Sequence, residues 1–160
     1  MSNKRIFYAC QALTMLKGDM TGPIQVHGLQ SVGVTTIFNL EQVFEVGQLS
    51  IYDHVETVPD IEVTTEKVLD GYPPVFLLAT RAAAGPSLIQ RSKVKCSAML
   101  SIYKDTSEQA SGAGQHQVLL SGLFPTSIAY SMPADGNATE SVSLAGYHKF
   151  WGGKSVSVAG

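Results

Sequence analysis

The sequence predicts a mainly β protein, two antiparallel sheets packed as a sandwich or small barrel, with one flanking α-helix over about 73–84. Three observations carry that expectation. Apolar residues recur with period two along most of the chain, the alternation of a strand buried on one face. The run from Val75 to Ala84 alone lacks the alternation and consists mostly of good helix formers. Gly, Pro, Asn and Asp cluster between the alternating runs, where tight turns need them. A length of 160 residues suits one domain, taken as 1–160.

Taken in order, Ile6, Tyr8, Cys10 and Ala12 share a parity, as do Ile24 with Val26, and Val32 and Val34 with Phe38, so the first forty residues read as strands. Between Val43 and Asp53 the apolar face switches. Phe44 and Val46 lie on one side, Leu49 and Ile51 on the other, and a bulge at Gly47 would restore one continuous face. Pro73 and Pro74 suit a first helical turn, and Gly85 with Pro86 stops the helix. Val75, Phe76, Leu77, Leu78, Ala79 and Ala82 to Ala84 leave that helix almost no polar face, so it belongs between a sheet and a second apolar surface, such as a neighbouring chain.

The best alternation runs from Arg91 to Tyr103. Val94, Cys96, Ala98, Leu100 and Ile102 point one way; Arg91, Lys93, Lys95, Ser97 and Ser101 point the other. That run is about twice the usual strand of roughly 5–6 residues, the length of a strand that outruns its own core. Asp105 to Gln117 is polar, holds Gly112 and Gly114, and reads as a flexible loop. Ile128, Tyr130 and Met132 lead into an Asp135-Gly136 turn, after which Val142, Leu144, Gly146, His148 and Phe150 alternate, a hairpin signal.

Charged residues make up only 15% of the chain, against roughly 25% in ordinary soluble domains. With 44% hydrophobic residues, much of the surface is neutral or apolar, as in a self-associating protein. A net charge of -2 lacks the basic excess of tight DNA binders, and no apolar stretch nears the roughly 20 residues of a membrane span, so neither DNA-binding nor membrane insertion is expected. Met1 to Phe7 carries no secretory pattern, and Cys10 and Cys96 match no metal or redox spacing; both read as buried thiols made in a reducing cytoplasm.

The charges are segregated. Residues 41–70 hold eight acids and one base, Lys67, a net of -7; residues 71–104 hold Arg81, Arg91, Lys93, Lys95 and Lys104 and no acid, a net of +5. Either the two segments pair inside one subunit or are solvated faces, or the acidic segment of one subunit meets the basic segment of the next. The candidates for contact between subunits or for a channel wall are Glu45, Asp53, Glu56, Asp60, Glu62 and Glu66 on the acidic side and Arg91, Lys93 and Lys95 on the basic side.

Catalytic motifs fail one by one. Gly153-Lys154-Ser155 looks like the end of a phosphate loop, but His148 stands where its first glycine should be and only five residues follow Ser155, too few for the helix whose dipole holds phosphates. His54-Val55-Glu56 lacks the paired cysteines of a zinc deaminase. The four histidines are scattered, no nucleophile elbow occurs, and acids on strands usually face water. Asn137-Ala138-Thr139 is a sequon in letters and a turn in practice. No enzyme activity, metal or cofactor is expected.

Two stretches carry a resemblance: Ser31 to Pro74, with Asn-Leu-Glu-Gln-Val-Phe-Glu-Val-Gly-Gln and Val-Pro-Asp-Ile-Glu-Val-Thr-Thr-Glu-Lys-Val-Leu-Asp-Gly-Tyr, and Ile128 to Trp151, with Ala-Asp-Gly-Asn-Ala-Thr-Glu-Ser-Val-Ser-Leu. They resemble bacteriophage tail tube proteins, whose fold is similar to that of inner tubes of contractile injection systems. The resemblance implies hexameric rings stacked into a hollow conduit for the genome, with strands of every subunit closing one barrel around the lumen. It further implies a virion tail protein made in the bacterial cytoplasm, with tape-measure, tail terminator, baseplate and sheath proteins as partners and DNA in transient passage. A neutral or acidic wall lets DNA slide, whereas a wall of Lys and Arg would hold it through released counterions, which makes segment 41–70 the first candidate for the lumen. A head-decoration or head-tail joining protein and the inner tube of a bacterial contractile injection system are the alternatives; a small-ligand β-barrel or carboxylate hydrolase would instead be a monomer with an apolar pocket.

Overall fold

A computed structural model describes residues 11–44, 46–47, 51–104 and 114–152. Along these, the chain runs β1 (Gln11–Lys17), β2 (Ile24–Gln25), β3 (Leu29–Ile37), β4 (Leu40–Phe44), β5 (Ile51–Glu56), β6 (Asp60–Val68), α1 (Val75–Ala79), α2 (Leu88–Ser92), β7 (Cys96–Ile102), β8 (His116–Ser131), β9 (Thr139–Gly146) and β10 (His148–Gly152). All strand pairings are antiparallel, as expected.

Two sheets share β8. Its first half pairs with β7 and β10, and β1 and β2 follow beyond β7; its second half pairs with β9, then β6 and β3. The strand passes from one sheet to the other at Gly122, whose φ of +68° is a conformation that side chains resist. Opposite it the backbone of Gly146 comes so close that an added Cβ would meet Leu123 Cδ2 at 2.8 Å and the Gly122 carbonyl oxygen at 3.2 Å. Any side chain at 146 would therefore wedge the corner open. The alternation expected to run unbroken from Val142 to Phe150 breaks at Tyr147 for this reason, dividing into β9 and β10, which follow β8 around the bend.

Between the sheets lies the core: Leu13 and Met15 of β1, Cys96 and Ala98 of β7, Leu120 and Leu123 of β8, Ile61 and Val63 of β6, and Val142 and Leu144 of β9. Burial pushes the Cys96 thiol up to about 12, so it is an inert core group, as its lack of motif suggested. Cys10, with Ile6 and Tyr8, lies outside the described residues. The helix α1 adds Val75, Phe76, Leu78 and Ala79 to the same core and rests on β1, β8 and β9.

Three expectations need correction. The helix expected over 73–84 is only five residues long, because the backbone N–H and the hydroxyl of Thr80 both donate to the Phe76 carbonyl at 3.0 and 2.7 Å and close the last turn. A second short helix, α2, follows, with Ser87 capping it by accepting from the Gln90 N–H. The strand expected over Arg91–Tyr103 accordingly begins only at Cys96. Arg91 belongs to α2 and Lys93 to its C-cap, so these cations occupy no strand face. The overlong strand is β8 instead, and it starts at His116, inside the segment read as a loop; residues 105–113 lie outside the described residues. Finally, Gly47 makes no bulge within one strand. It sits in the turn between β4 and β5, and the register shift falls between Val43 and Phe44.

Candidate functional site

The outer face of the second sheet is set by register. Each paired residue shares a face with its partner, so Ser31, Gly33 and Thr35 of β3 stand beside Glu66, Thr64 and Glu62 of β6, then Ser141, Ser143 and Ala145 of β9, then Ala129, Ser127 and Phe124 of β8. Apart from the two glutamates and Phe124 at one end, this wall consists of small Ser, Thr, Gly and Ala residues. Its charges are Glu62 and Glu66, both exposed, and it carries no Lys or Arg among those positions. The alternate residues Ile61, Val63, Thr65 and Lys67 point inward and are buried.

Among the described residues the same sheet ends on two open edges: β3 pairs only with β6 on one side, and the second half of β8 only with β9 on the other. The order β8-β9-β6-β3 alternates direction over four strands. An even number means that β3 of an identical sheet, set beside β8 of this one, again runs antiparallel. Pro125 lies in this part of β8 at a register shift between Pro125 and Ser127, an irregularity that tolerates a residue without an N–H.

Beyond the body, β4 and β5 form a separate two-stranded sheet that continues the β3–β6 pair. Its base is clamped. Asn39 Nδ2 donates to the Val58 carbonyl at 3.3 Å and to Asp60 Oδ2 at 3.0 Å, while the Thr57 N–H and hydroxyl both donate to the Asn39 carbonyl at 2.9 Å. The arm nevertheless exposes Leu40, Val43, Phe44, Val46 and Val55, and Phe38 at its root is 61% exposed. So large a projecting apolar surface marks an interaction element. Of the predicted acids, Glu45 lies outside the described residues. Asp53 and Glu56 are placed on β5 by their backbone, and Asp60 begins β6 as the acceptor of the Asn39 clamp.

On another side, α2 leans on the second half of β8 and encloses with it a groove of about 280 Å³ lined by Phe76, Leu88, Ile89, Pro125 and Ile128. Leu88 and Ile89 are 67% and 74% exposed, and α2 buries none of its residues. Arg91 is half-buried and donates to Thr80 Oγ1 at 3.1 Å; Lys93 and Lys95 are exposed. The basic residues thus gather around α2, and the acids divide between arm and wall. Neither set pairs with the other through the strand register: β6 lies between β3 and β9, and β7 between β1 and β8.

A buried polar centre went unread in the sequence. Glu140 is fully buried and accepts from the Val75 and Phe76 N–H groups at 2.6 and 3.2 Å and from the Tyr130 hydroxyl at 3.1 Å, so a carboxylate on β9 caps α1 from across the fold. Burial and this carboxylate push the Tyr130 hydroxyl up. Lys67, also fully buried, donates to the His27 carbonyl and to Asp70 Oδ1 at 3.0 Å, which holds the Asp70 carboxyl below its usual range. Their register pairing, Lys67 opposite Glu140, was hidden because the two are far apart in sequence.

No family model matches the chain, and no curated protein matches it. Solved structures do. A chain of the anti-feeding prophage baseplate, in a six-fold symmetrised reconstruction, superposes with a TM-score of 0.65 at 13% identity, covering 98% of this chain and 100% of the other. A chain of an extracellular contractile injection system, a PVC sheath-tube complex in the extended state, gives 0.65 at 11%, over 94% and 93%. The SPP1 tail tube gives 0.64 at 10%, over 93% of this chain and 80% of that one. The fold is therefore the tube-type fold that the resemblance implied, reached at identities too low for sequence comparison to detect.

Proposed function

We propose that this chain is the structural subunit of a hollow tube, of a phage tail or a related contractile injection machine, built from stacked hexameric rings. The observation that carries this reading is the four-stranded sheet open at both edges, with a small, acid-bearing outer face. Setting β3 of one copy beside β8 of the next extends the sheet without reversing its alternation, buries both exposed edges and closes a barrel whose inner wall is that face. Glu62, Glu66 and their Ser, Thr, Gly and Ala neighbours then line the lumen and offer a polyanion no cation to grip, so double-stranded DNA slides through.

The fold's occurrence in baseplate, tube-cap and sheath-tube structures supports terminator and baseplate proteins as the partners at the two ends, with a sheath outside and a tape-measure protein within where the machine has them. On this reading the protein belongs to the assembled particle and its role is structural. Purified protein at tens of micromolar should form rings and open-ended hollow tubes in negative stain. A strictly monomeric mass under those conditions contradicts the reading, and closed rings that never stack favour a head-tail joining role instead.

A further inference from the structure

We infer that the β4–β5 arm of one copy docks on α2 and the basic turn behind it, Arg91 to Lys95, of a second copy. This rests on the tube reading and specifies how its subunits grip one another. Three observations converge on it. The first is direction. Ile37 pairs with Asp60, and Phe124 pairs with Ala145, one residue from Gly146, which itself faces Ile61; the arm therefore leaves the sheet at the same end at which β8 enters it. A copy whose β3 lies against this β8 accordingly sends its arm past Phe124 and Pro125, where α2 flanks the strand. Cys96, directly after the basic turn, pairs with Leu123 at that same end.

The second is apolar match. The arm presents Leu40, Val43 and Phe44, and the groove offers Leu88, Ile89 and Pro125. Among the described residues the arm's strands pair only with each other, and Leu40, Val43 and Phe44 stay exposed, an apolar surface that a second copy would cover. The third is charge. Residues 40–56 hold Glu41, Glu45, Asp53 and Glu56 with no Lys or Arg, and residues 81–95 hold Arg81, Arg91, Lys93 and Lys95 with no acid, -4 against +4. Arm and groove are different patches of the same chain, so the contact is head-to-tail and repeats around a ring rather than closing a dimer. Opposite charge steers the encounter and apolar burial holds it.

The test is a charge swap in the full-length chain, read as the lowest concentration at which rings or tubes appear by light scattering and negative stain. The double variant K93E/K95E should raise that concentration at least ~tenfold, and adding E41K to the same chain should bring it back toward the wild-type value. An unchanged threshold in the double variant overturns the docking, and so does a loss that E41K leaves unrepaired. A wild-type chain that stays monomeric would instead overturn the tube reading and this inference with it.

Discussion

At the scale of single residues, the buried carboxylate of Glu140 decides where α1 sits. The helix is five residues long and has no side-chain cap of its own, so its first N–H groups depend on a group more than sixty residues away in sequence. Removing that group strands buried donors, and E140A should lower the unfolding free energy by about 2–4 kcal/mol, read from the urea midpoint at constant m-value. Asp70 gives a second prediction, with a sign. The Lys67 ammonium holds its carboxyl below the ordinary value, so the interaction stabilises the fold fully above the ordinary aspartate pKa of about 3.9 and is lost as pH falls through the depressed folded one. The stability difference between wild type and D70N should therefore be constant near neutrality and shrink steadily below about pH 4. A difference that grows on acidification would contradict the assignment.

At the scale of elements, the arm is an addition to a fold that does not need it. Its base is closed by hydrogen bonds between Asn39 and Thr57, and β4 exposes all five of its residues. Replacing residues 40–56 by Asn-Gly should leave thermal unfolding within a few degrees of wild type while abolishing assembly, measured by melting and by sedimentation of the same preparation. These elements also show what the sequence could reveal. The β class and the β8–β9 hairpin around Gly136 followed from period-two alternation, which depends only on local burial. Period two misled at 91–95, where a helix end and its exit turn mimic alternation, and helix propensity misled at 80–84, where Thr80 closes the last turn of α1. The candidate wall was half legible: Glu62 and Glu66 lie on one exposed face as their spacing suggests, but the neutral residues of β3, β8 and β9 beside them are assembled by register over long sequence separations. Lys93 and Lys95 lie in the exit turn of α2, not on the strand face that the alternation suggests.

At the scale of the whole molecule, function follows from an unfinished sheet: both edges are open, one face is buried over the core, and the other is small and free of cations. If that face lines the proposed tube, its charge sets how a polyanion behaves inside. In E62K/E66K, assembled tubes should retain double-stranded DNA in a gel-shift assay at low salt and release it as salt rises, whereas wild-type tubes should not retain it. The arrangement itself is tested most directly by a helical cryo-EM reconstruction of tubes grown from the pure protein. The expected map places β3 of each subunit antiparallel to the second half of β8 of its neighbour, with Glu62 and Glu66 facing a continuous lumen. A tube whose inner wall is formed by another face, with Glu62 and Glu66 on the outside, would contradict the account.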